Sequence, residues 1–169
     1  MQSQNSPAKS IALSGILVAL ALLFSYIEHL IPIPVPVPGV RLGLANLVTL
    51  MGIFFLNPIQ VFCILTARIL LSGFMFGNLT SILYSLAGGL VSLTFMYFIK
   101  HLKVFSPLGI SISGGVIHNI AQLAVAAIML KSTSIILYLP ALLIAGAVAG
   151  TVIGIVGRYV SEYINKKRG

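Results

Sequence analysis

The side chains best suited to chemistry lie in one short run, His118, Asn119 and Gln122, inside an otherwise apolar segment. His118 and Gln122 are four residues apart, so in a helix they share one face, with Asn119 beside them. Three such hydrogen-bonding groups could bind a polar ligand, and in a membrane bundle they could instead join neighbouring helices. No acid is placed to act with His118, so the run does not predict a catalytic dyad.

Two arginines and a glutamate form a second candidate group. Arg68 lies within an apolar run, whereas Glu28 and Arg41 flank a proline-rich segment. Ionisable side chains inside a membrane are costly and mark functional sites by default. The two cations outnumber the one acid, which favours an anionic ligand held by an arginine. In the alternative interpretation, Glu28 pairs with Arg68 as a structural bridge and Arg41 reaches the lipid headgroups.

Two asparagines could complete a polar ring around such a ligand. Asn46 lies in the predicted second helix, and Asn78 ends a turn flanked by Gly73 and Gly77. Irregular backbone at membrane depth is tolerated only where protein or a water-filled cavity covers it. The predicted substrate-binding residues are therefore Arg41, Asn46, Arg68, Asn78, His118, Asn119 and Gln122.

The composition excludes a soluble enzyme and carboxylate-based catalysis. Of 169 residues, 59% are hydrophobic and 7% are charged, whereas about 25% are charged in soluble domains. Ten basic and two acidic residues cannot cover a soluble surface. The two acids, Glu28 and Glu162, are too few for a Mg²⁺-diphosphate site or a catalytic pair. The histidines and the single cysteine lack metal-ligand spacing, so we expect no catalytic residue, metal or cofactor in this chain.

Proline, glycine and charged clusters divide the chain into six apolar stretches, each predicted to be a membrane helix. Asn57-Pro58 and Ser106-Pro107 are typical helix starts, because proline is tolerated at the first helical position. The second helix is short for a full span, which favours a tilt or a cavity at one end. The predicted fold is all-α, a single membrane domain over residues 1–169 with helices at about 10–30, 42–56, 58–74, 80–99, 108–130 and 135–163.

The net charge of +8 is mostly an orientation signal. With six spans both termini lie on one side, and only Arg41 and Lys131 fall in loops on the other. Cytoplasmic loops carry such an excess of basic residues, which predicts a multi-pass protein of the cell membrane with both termini in the cytoplasm. No basic face of a soluble fold indicates nucleic-acid binding. The residues on the basic side are Lys9, Lys100, Lys103, Arg158, Lys166, Lys167 and Arg168.

The loop between the first two helices, residues 31–40, contains a proline-rich segment. Alternating prolines hold an extended backbone, whereas a plain connector between antiparallel helices is usually short and polar. The segment is therefore predicted to be a lid over a cavity, with an interhelical connector as the alternative. The lid prolines are Pro32, Pro34, Pro36 and Pro38.

Small residues at four-residue spacing occur on two of the predicted helices. Gly15 and Ala19 form one such pair on the first helix, and Gly146, Gly150 and Gly154 continue the spacing on the sixth. Such stripes permit close helix approach. Internal packing explains both stripes, and a docking face for a partner subunit is the alternative, for which the first helix is the better candidate.

Four motifs point to a known family. The segments Val40–Leu50, Arg68–Asn78, Tyr84–Gly89 and His118–Gln122 resemble the Gx transporter family, also labelled heptaprenyl diphosphate synthase component I, over essentially residues 10–160. That family resembles the S components of energy-coupling factor (ECF) transporters, which are six-helix membrane proteins with an outer loop that closes over the substrate. The resemblance implies a coupling subunit and two ATPases as partners. It also implies a partner contact on helix 1, where Gly15 and Ala19 are the closest match to an Ala-xxx-Ala pattern.

Two functions follow as expectations. In the first, the chain is an S-component-like subunit that captures a small anionic or polar-aromatic solute from outside, while its partners hydrolyse ATP, because the chain lacks a glycine-rich phosphate loop. In the second, it is a non-catalytic membrane accessory subunit of isoprenoid or quinone synthesis. Catalytic prenyl synthesis uses clustered aspartates to hold Mg²⁺, and the chain has no aspartate. A stand-alone channel fits the continuous apolar helices less well.

Overall fold

A computed structural model describes residues 7–30 and 44–168. All the regular secondary structure among these residues is helical, as the sequence predicts. A 3₁₀ helix, Thr133–Tyr138, precedes the last α-helix. The six α-helices are α1 (Pro7–Leu30), α2 (Asn46–Phe55), α3 (Pro58–Phe76), α4 (Leu79–His101), α5 (Pro107–Leu130) and α6 (Leu139–Arg168).

Five of the six helices are long and apolar enough to cross a membrane, so the chain is a multi-pass membrane protein. The exception is α2, whose 10 residues measure about 15 Å against a hydrocarbon core of about 30 Å. The six predicted helices are therefore present, and α2 is short for a full span, as its sequence indicates. The helix α2 ends at Phe55 with Leu56 as its C-cap, and only Asn57 separates that cap from Pro58, at which α3 begins.

Side-chain caps fix where three of the helices begin. The Asn57 side chain accepts a hydrogen bond from the Gln60 backbone N–H at 2.8 Å, and the Gln60 side chain accepts one from the Asn57 N–H. Asn78 and Ser81 form the same reciprocal pair at the start of α4. Ser106 caps α5 through the Gly109 N–H. Each cap satisfies backbone donors that a helix start leaves unpaired, and the predicted starts at 57–58 and 106–107 are confirmed.

The helices form a bundle in which α3, α4, α5 and α6 pack in sequence, and α1 packs beside α3. The short α2 contacts α1, α3, α4 and α6, so it is the most central helix. Each helix from α3 to α6 runs antiparallel to the one before it. The contacts that show this are Gly52–Val61 and Gly73–Ile82 beside short loops, and the pairs Gly88–His118 with Ser92–Gly114 and Gly115–Gly146 with Ser111–Gly150.

The two ends of the bundle differ in charge. At the basic end, where α3 and α5 begin, lie Lys100, Lys103 and Arg158. At the opposite end, where α4 and α6 begin, Lys131 is the cation among the described residues. We call these the basic end and the polar end. Their charge difference matches the bias that distinguishes cytoplasmic from outer loops.

The glycine stripe of α6 packs inside the bundle. A Cβ added at Gly146 would lie 2.7 Å from the Gly115 carbonyl oxygen, and one at Gly150 would lie 2.7 Å from the Ser111 carbonyl oxygen. A Cβ at Gly154 would lie 2.7 Å from a Leu108 methyl carbon. These distances leave no room for a side chain, so α5 and α6 meet almost backbone to backbone. For α6, internal packing is therefore the correct interpretation of the stripe.

A lysine from a distant part of the chain holds the end of α2. The Lys100 ammonium donates a hydrogen bond to the Ile53 carbonyl oxygen and lies 5.0 Å from the centre of the Phe54 ring. A cation at a helix C-terminus satisfies an unpaired carbonyl and interacts favourably with the helix dipole. This contact holds the C-terminal end of α2 at the basic end of the bundle.

Buried polar side chains lie mainly in the half of the core at the polar end, whereas buried apolar side chains lie in both halves. Toward the basic end the core is apolar, with Leu50, Ile53, Leu65, Leu93 and Met96 packed in one cluster. Toward the polar end, hydroxyl, amide and charged side chains are buried between the helices. Burial of so many polar groups is expensive in a membrane protein unless they are used. The polar half is therefore where a functional site is to be sought.

Candidate ligand-binding site

The buried polar side chains concentrate at and beyond the middle of the bundle. Arg68 lies ten residues from the start of α3 and eight from its end, or about 15 Å and about 12 Å along the axis. Thr49, Ser92 and Ser111 lie nearer to the basic end. All the other described buried polar side chains lie at the level of Arg68 or nearer to the polar end. They are Ser25, Glu28, Asn46, Arg68, Ser72, Ser81, Ser85, His118, Asn119 and Gln122.

Arg68 and Asn46 connect α3 to the first turn of α2. The Arg68 guanidinium donates a hydrogen bond to the Asn46 side-chain oxygen at 3.4 Å, and both residues are buried. Because α2 is short, its first residue stands at mid-depth, directly opposite Arg68. These two predicted substrate-binding residues are therefore in contact, and their role in binding stays a prediction.

His118 and Gln122 form the part of this layer that lies between α4 and α5. The Gln122 amide nitrogen lies 2.8 Å from His118 Nε2, so the i, i+4 spacing produces the shared face expected from the sequence. The His118 ring lies against Gly88, where an added Cβ would be 3.0 Å from the ring carbon Cε1. Arg68 is close enough to interact electrostatically with His118.

Asn119 turns toward a different helix. Its amide donates a hydrogen bond to the Leu142 carbonyl oxygen of α6 at 2.7 Å, next to the close contact at Gly146. The Asn119 amide group therefore joins two neighbouring helices, which is the alternative to ligand binding that the sequence allowed. Its Oδ1 atom is also buried, yet it has no hydrogen-bond partner among the residues the structure describes.

Five of the seven predicted binding residues therefore lie in one layer across the bundle, which we call the polar layer. It joins α2, α3 and α5, and it borders α4 at Gly88 and α6 at Leu142. Every member is at least nine-tenths buried. The layer consists of Asn46, Arg68, His118, Asn119 and Gln122.

Asn78 is not part of the polar layer. Its side chain is exposed and accepts the Ser81 N–H as the cap of α4. A helix start needs a side-chain acceptor, and this local need determines where Asn78 points. The structure thus places this predicted binding residue at the polar end, as a helix cap outside the buried group.

Arg41 and the lid prolines Pro32, Pro34, Pro36 and Pro38 lie outside the described residues. The same holds for the predicted start of the second helix at residue 42. The described chain resumes at Leu44 and Ala45, and the Leu44 carbonyl accepts a hydrogen bond from the Leu47 N–H at the entry to α2. The lid and the role of Arg41 stay predictions.

The end of α1 adds an acid to the polar half. Glu28 is 3% exposed and Ser25 is fully buried, so both side chains lie inside the bundle. Its neighbour His29 is exposed, and the His29 ring lies 6.3 Å from the Phe76 ring. Glu28 therefore faces the inside of the bundle, whereas its neighbour His29 faces outward.

Sequence reasoning missed a hydroxyl stripe on α4. Ser81, Ser85 and Ser92 are buried, and together with Gly88 they repeat at intervals of four, three and four residues. This is the spacing of one helix face, so a search for periodic small polar residues would have found the stripe. Ser92 donates a hydrogen bond to the Gly114 carbonyl oxygen at 2.8 Å. This bond joins α4 to α5 on the side of the polar layer that faces the basic end.

The small residues of α1 face outward, unlike those of α6. Gly15 and Ala19 are exposed, and a Cβ added at Gly15 would meet nothing within 4 Å. This face of α1 therefore does not serve packing within the described bundle. It is open to lipid or to another membrane protein.

Helical spans around a buried polar layer define a multi-pass membrane protein with a candidate site for a small polar ligand. The chain belongs to the family described as heptaprenyl diphosphate synthase component I, whose model matches residues 17–160. This match confirms the family expected from the motifs. No curated protein and no solved structure matches the chain.

Proposed function

We propose that the chain is the substrate-binding subunit of a membrane uptake transporter, similar to the S components of ECF transporters. It captures a small anionic or polar-aromatic solute from outside the cell. The observation that supports this function best is the polar layer, with a buried arginine at mid-depth of the bundle. Ionisable groups placed there are characteristic of substrate pathways.

Four members of the layer contact the ligand in the proposed site, while the Asn119 amide joins α5 to α6. Arg68 receives the acidic group of the solute, because a guanidinium offers paired donors in a fixed plane. Asn46, His118 and Gln122 exchange hydrogen bonds with its neutral groups. Arg41 and the lid prolines close the site from the outer side. No group in this set performs catalysis, so the chain acts as a binding protein and not as an enzyme.

Energy for uptake comes from partner subunits in this proposal. A coupling subunit in the membrane and two ATPases assemble with the chain, and ATP binds to those partners alone. The outward face of α1 at Gly15 and Ala19 is the proposed contact for the coupling subunit. The protein lies in the cell membrane with the basic end, and hence both termini, in the cytoplasm.

The family description favours a second candidate function. It names a component of heptaprenyl diphosphate synthase, which fits a non-catalytic membrane subunit that accompanies a prenyl synthase. In that case the polar half would serve assembly or the delivery of a precursor. The two functions differ in the proteins that accompany the chain.

Affinity purification from the native membrane separates the two functions. We expect the full-length chain to retain a membrane coupling subunit and two ATPases in mild detergent. Gly15→Leu with Ala19→Leu should remove them, because bulky side chains block close helix approach. Val148→Leu, at an exposed site on α6, is the matched control and should retain them. Recovery of a prenyl synthase without ATPases would refute the transport function and support the alternative.

A further inference from the structure

We infer that Lys100, at the basic end of the bundle, is a positioning residue for the polar layer, and that it acts on Asn46 through the short helix α2. This inference rests on the proposed function, since it assumes that the layer binds the transported solute. It adds a residue that lies outside the layer, on the cytoplasmic side in the proposed orientation, and that does not itself contact the solute.

Two side-chain hydrogen bonds hold α2, one near each of its ends. The Lys100 ammonium donates to the Ile53 carbonyl oxygen, and the Arg68 guanidinium donates to the Asn46 side-chain oxygen. Asn46 and Ile53 lie on one helix of 10 residues, about 10 Å apart along its axis. A shift of α2 along its axis would therefore displace both hydrogen bonds together.

The rest of α2 packs mainly through apolar side chains. Leu47, Leu50 and Ile53 belong to the main apolar cluster of the core, and Val48 belongs to a second apolar cluster with α1 and α3. Apolar burial is non-directional, whereas a hydrogen bond requires a particular distance and angle. Buried polar contacts can fix the register of one helix against another. The position of α2 along its axis should therefore depend on its two polar contacts.

Lys100 connects α2 to α4, the helix that also borders the polar layer. In the middle of α4 lies Gly88, where an added Cβ would be 3.0 Å from the His118 ring. The turn at Asn57 joins α2 directly to α3, but it does not relate α2 to α4. Lys100 is therefore placed to determine where Asn46 stands relative to the α4 side of the layer.

The contacts of Lys100 are those of an anchored side chain. It is half-buried, and its ammonium lies 5.0 Å from the centre of the Phe54 ring. A cation is favourable over an aromatic ring and also at a helix C-terminus. Lys103 is exposed at the same end of the bundle, so it provides a matched lysine for control variants.

Asn46 is the member of the layer that should respond to Lys100. Its oxygen lies 3.4 Å from the Arg68 guanidinium, beyond the usual range of about 2.7–3.2 Å, so a small shift of α2 would break this bond. Its Nδ2 atom is buried and lacks a hydrogen-bond partner within the described part of the chain. Burial of an unsatisfied donor is costly, and an acceptor group of the solute would satisfy it.

A double-mutant cycle tests the inference without any ligand. Thermal unfolding of the full-length protein in detergent is measured for the wild type, Lys100→Met, Asn46→Leu and the double variant. Distant sites normally give additive losses of stability, whereas coupled sites do not. We expect the double variant to melt more than about 2 °C above the temperature that the two single losses predict, because Lys100→Met already weakens the bond between Asn46 and Arg68. A control cycle with Lys103→Met should be additive.

The second measurement compares the small molecules that the protein retains through purification. Compounds extracted from equal amounts of folded protein are quantified by mass spectrometry. We expect the compounds enriched by the wild type to fall about 2- to 30-fold in Lys100→Met and to stay at the wild-type level in Lys103→Met. Lys100→Arg should restore retention, because a guanidinium can also donate to the carbonyl and stack on Phe54. If Lys100→Met does not fold, Phe54→Leu replaces it as the milder variant and should also lower retention.

Two results would overturn the inference and leave the proposed function intact. One is additive loss of stability in the cycle of Lys100 with Asn46. The other is wild-type retention by folded Lys100→Met, or by Phe54→Leu in its place. In either case Lys100 would serve stability alone. Failure of the wild type to enrich any compound would instead contradict the proposed function, on which the inference depends.

Discussion

Arg68→Gln is expected to abolish ligand binding while leaving a folded protein in detergent. Glutamine keeps a similar length and a hydrogen-bonding end, but it removes the positive charge and the paired donors. Loss of one partner from a buried, charged hydrogen bond costs about 2–5 kcal/mol, or roughly 30-fold to several thousand-fold in Kd. Isothermal titration calorimetry with the compound that copurifies with the wild type measures the change.

Two variants control this experiment. Arg158 is exposed at the basic end, where it donates to the Glu162 carboxylate at 2.7 Å, so Arg158→Gln should bind like the wild type. Arg68→Lys keeps the charge without the planar fork, and we expect an intermediate affinity. Unchanged binding in Arg68→Gln would exclude Arg68 as a ligand contact and favour the interpretation that it forms a structural bridge with Glu28.

Gly146→Ala is expected to lower the stability of the bundle. The new methyl group would lie 2.7 Å from the Gly115 carbonyl oxygen and 2.9 Å from the Asn119 amide nitrogen. Overpacking of this kind costs about 1–3 kcal/mol, which for a chain of 169 residues lowers the melting temperature by roughly 2–12 °C. The strain falls beside the hydrogen bond from Asn119 to Leu142, so the polar layer should loosen with it.

The matched control is Gly15→Ala, which makes the same chemical change on α1. Nothing lies within 4 Å of the added Cβ there, and alanine favours a helix over glycine by about 0.5–1 kcal/mol. Its melting temperature should stay level or rise. An equal fall in melting temperature in the two variants would show that the close contact between α5 and α6 does not cause the sensitivity of Gly146 to substitution.

The helices could be predicted because their signals are local. Asparagine or serine before proline marks the starts of α3 and α5, and long apolar runs identify five spans. The position of α2 depended on a distant residue. Lys100 reaches the Ile53 carbonyl across 47 positions of sequence, and no local pattern announces such a contact.

The same distinction applies to the candidate site. His118 and Gln122 could be paired from spacing alone, because four residues return a helix to the same face. The direction of Asn119 could not be derived, since it depends on how closely α6 approaches at Gly146. The position of Asn78 as a helix cap could not be derived from its type, because asparagine fits a ligand site and a helix cap equally well.

The two glycine stripes show why composition alone does not distinguish packing from docking. Gly146 and Gly15 both begin four-residue repeats of small residues. One lies against backbone atoms of a neighbouring helix and the other faces open space. That difference arises from which helices are neighbours, and it becomes visible only once the bundle is assembled.

ATP-dependent uptake is the most direct test of the proposed transport function. The chain and its copurifying partners are reconstituted into vesicles, with ATP supplied to the ATPases, and the compound retained by the wild type is added on the outer side. We expect this compound to accumulate above its external concentration with ATP and not with ADP, and Arg68→Gln to remove the accumulation. Equal uptake with ATP and ADP, or no uptake in a complete complex, would contradict the assignment as the substrate-binding subunit of an energised transporter.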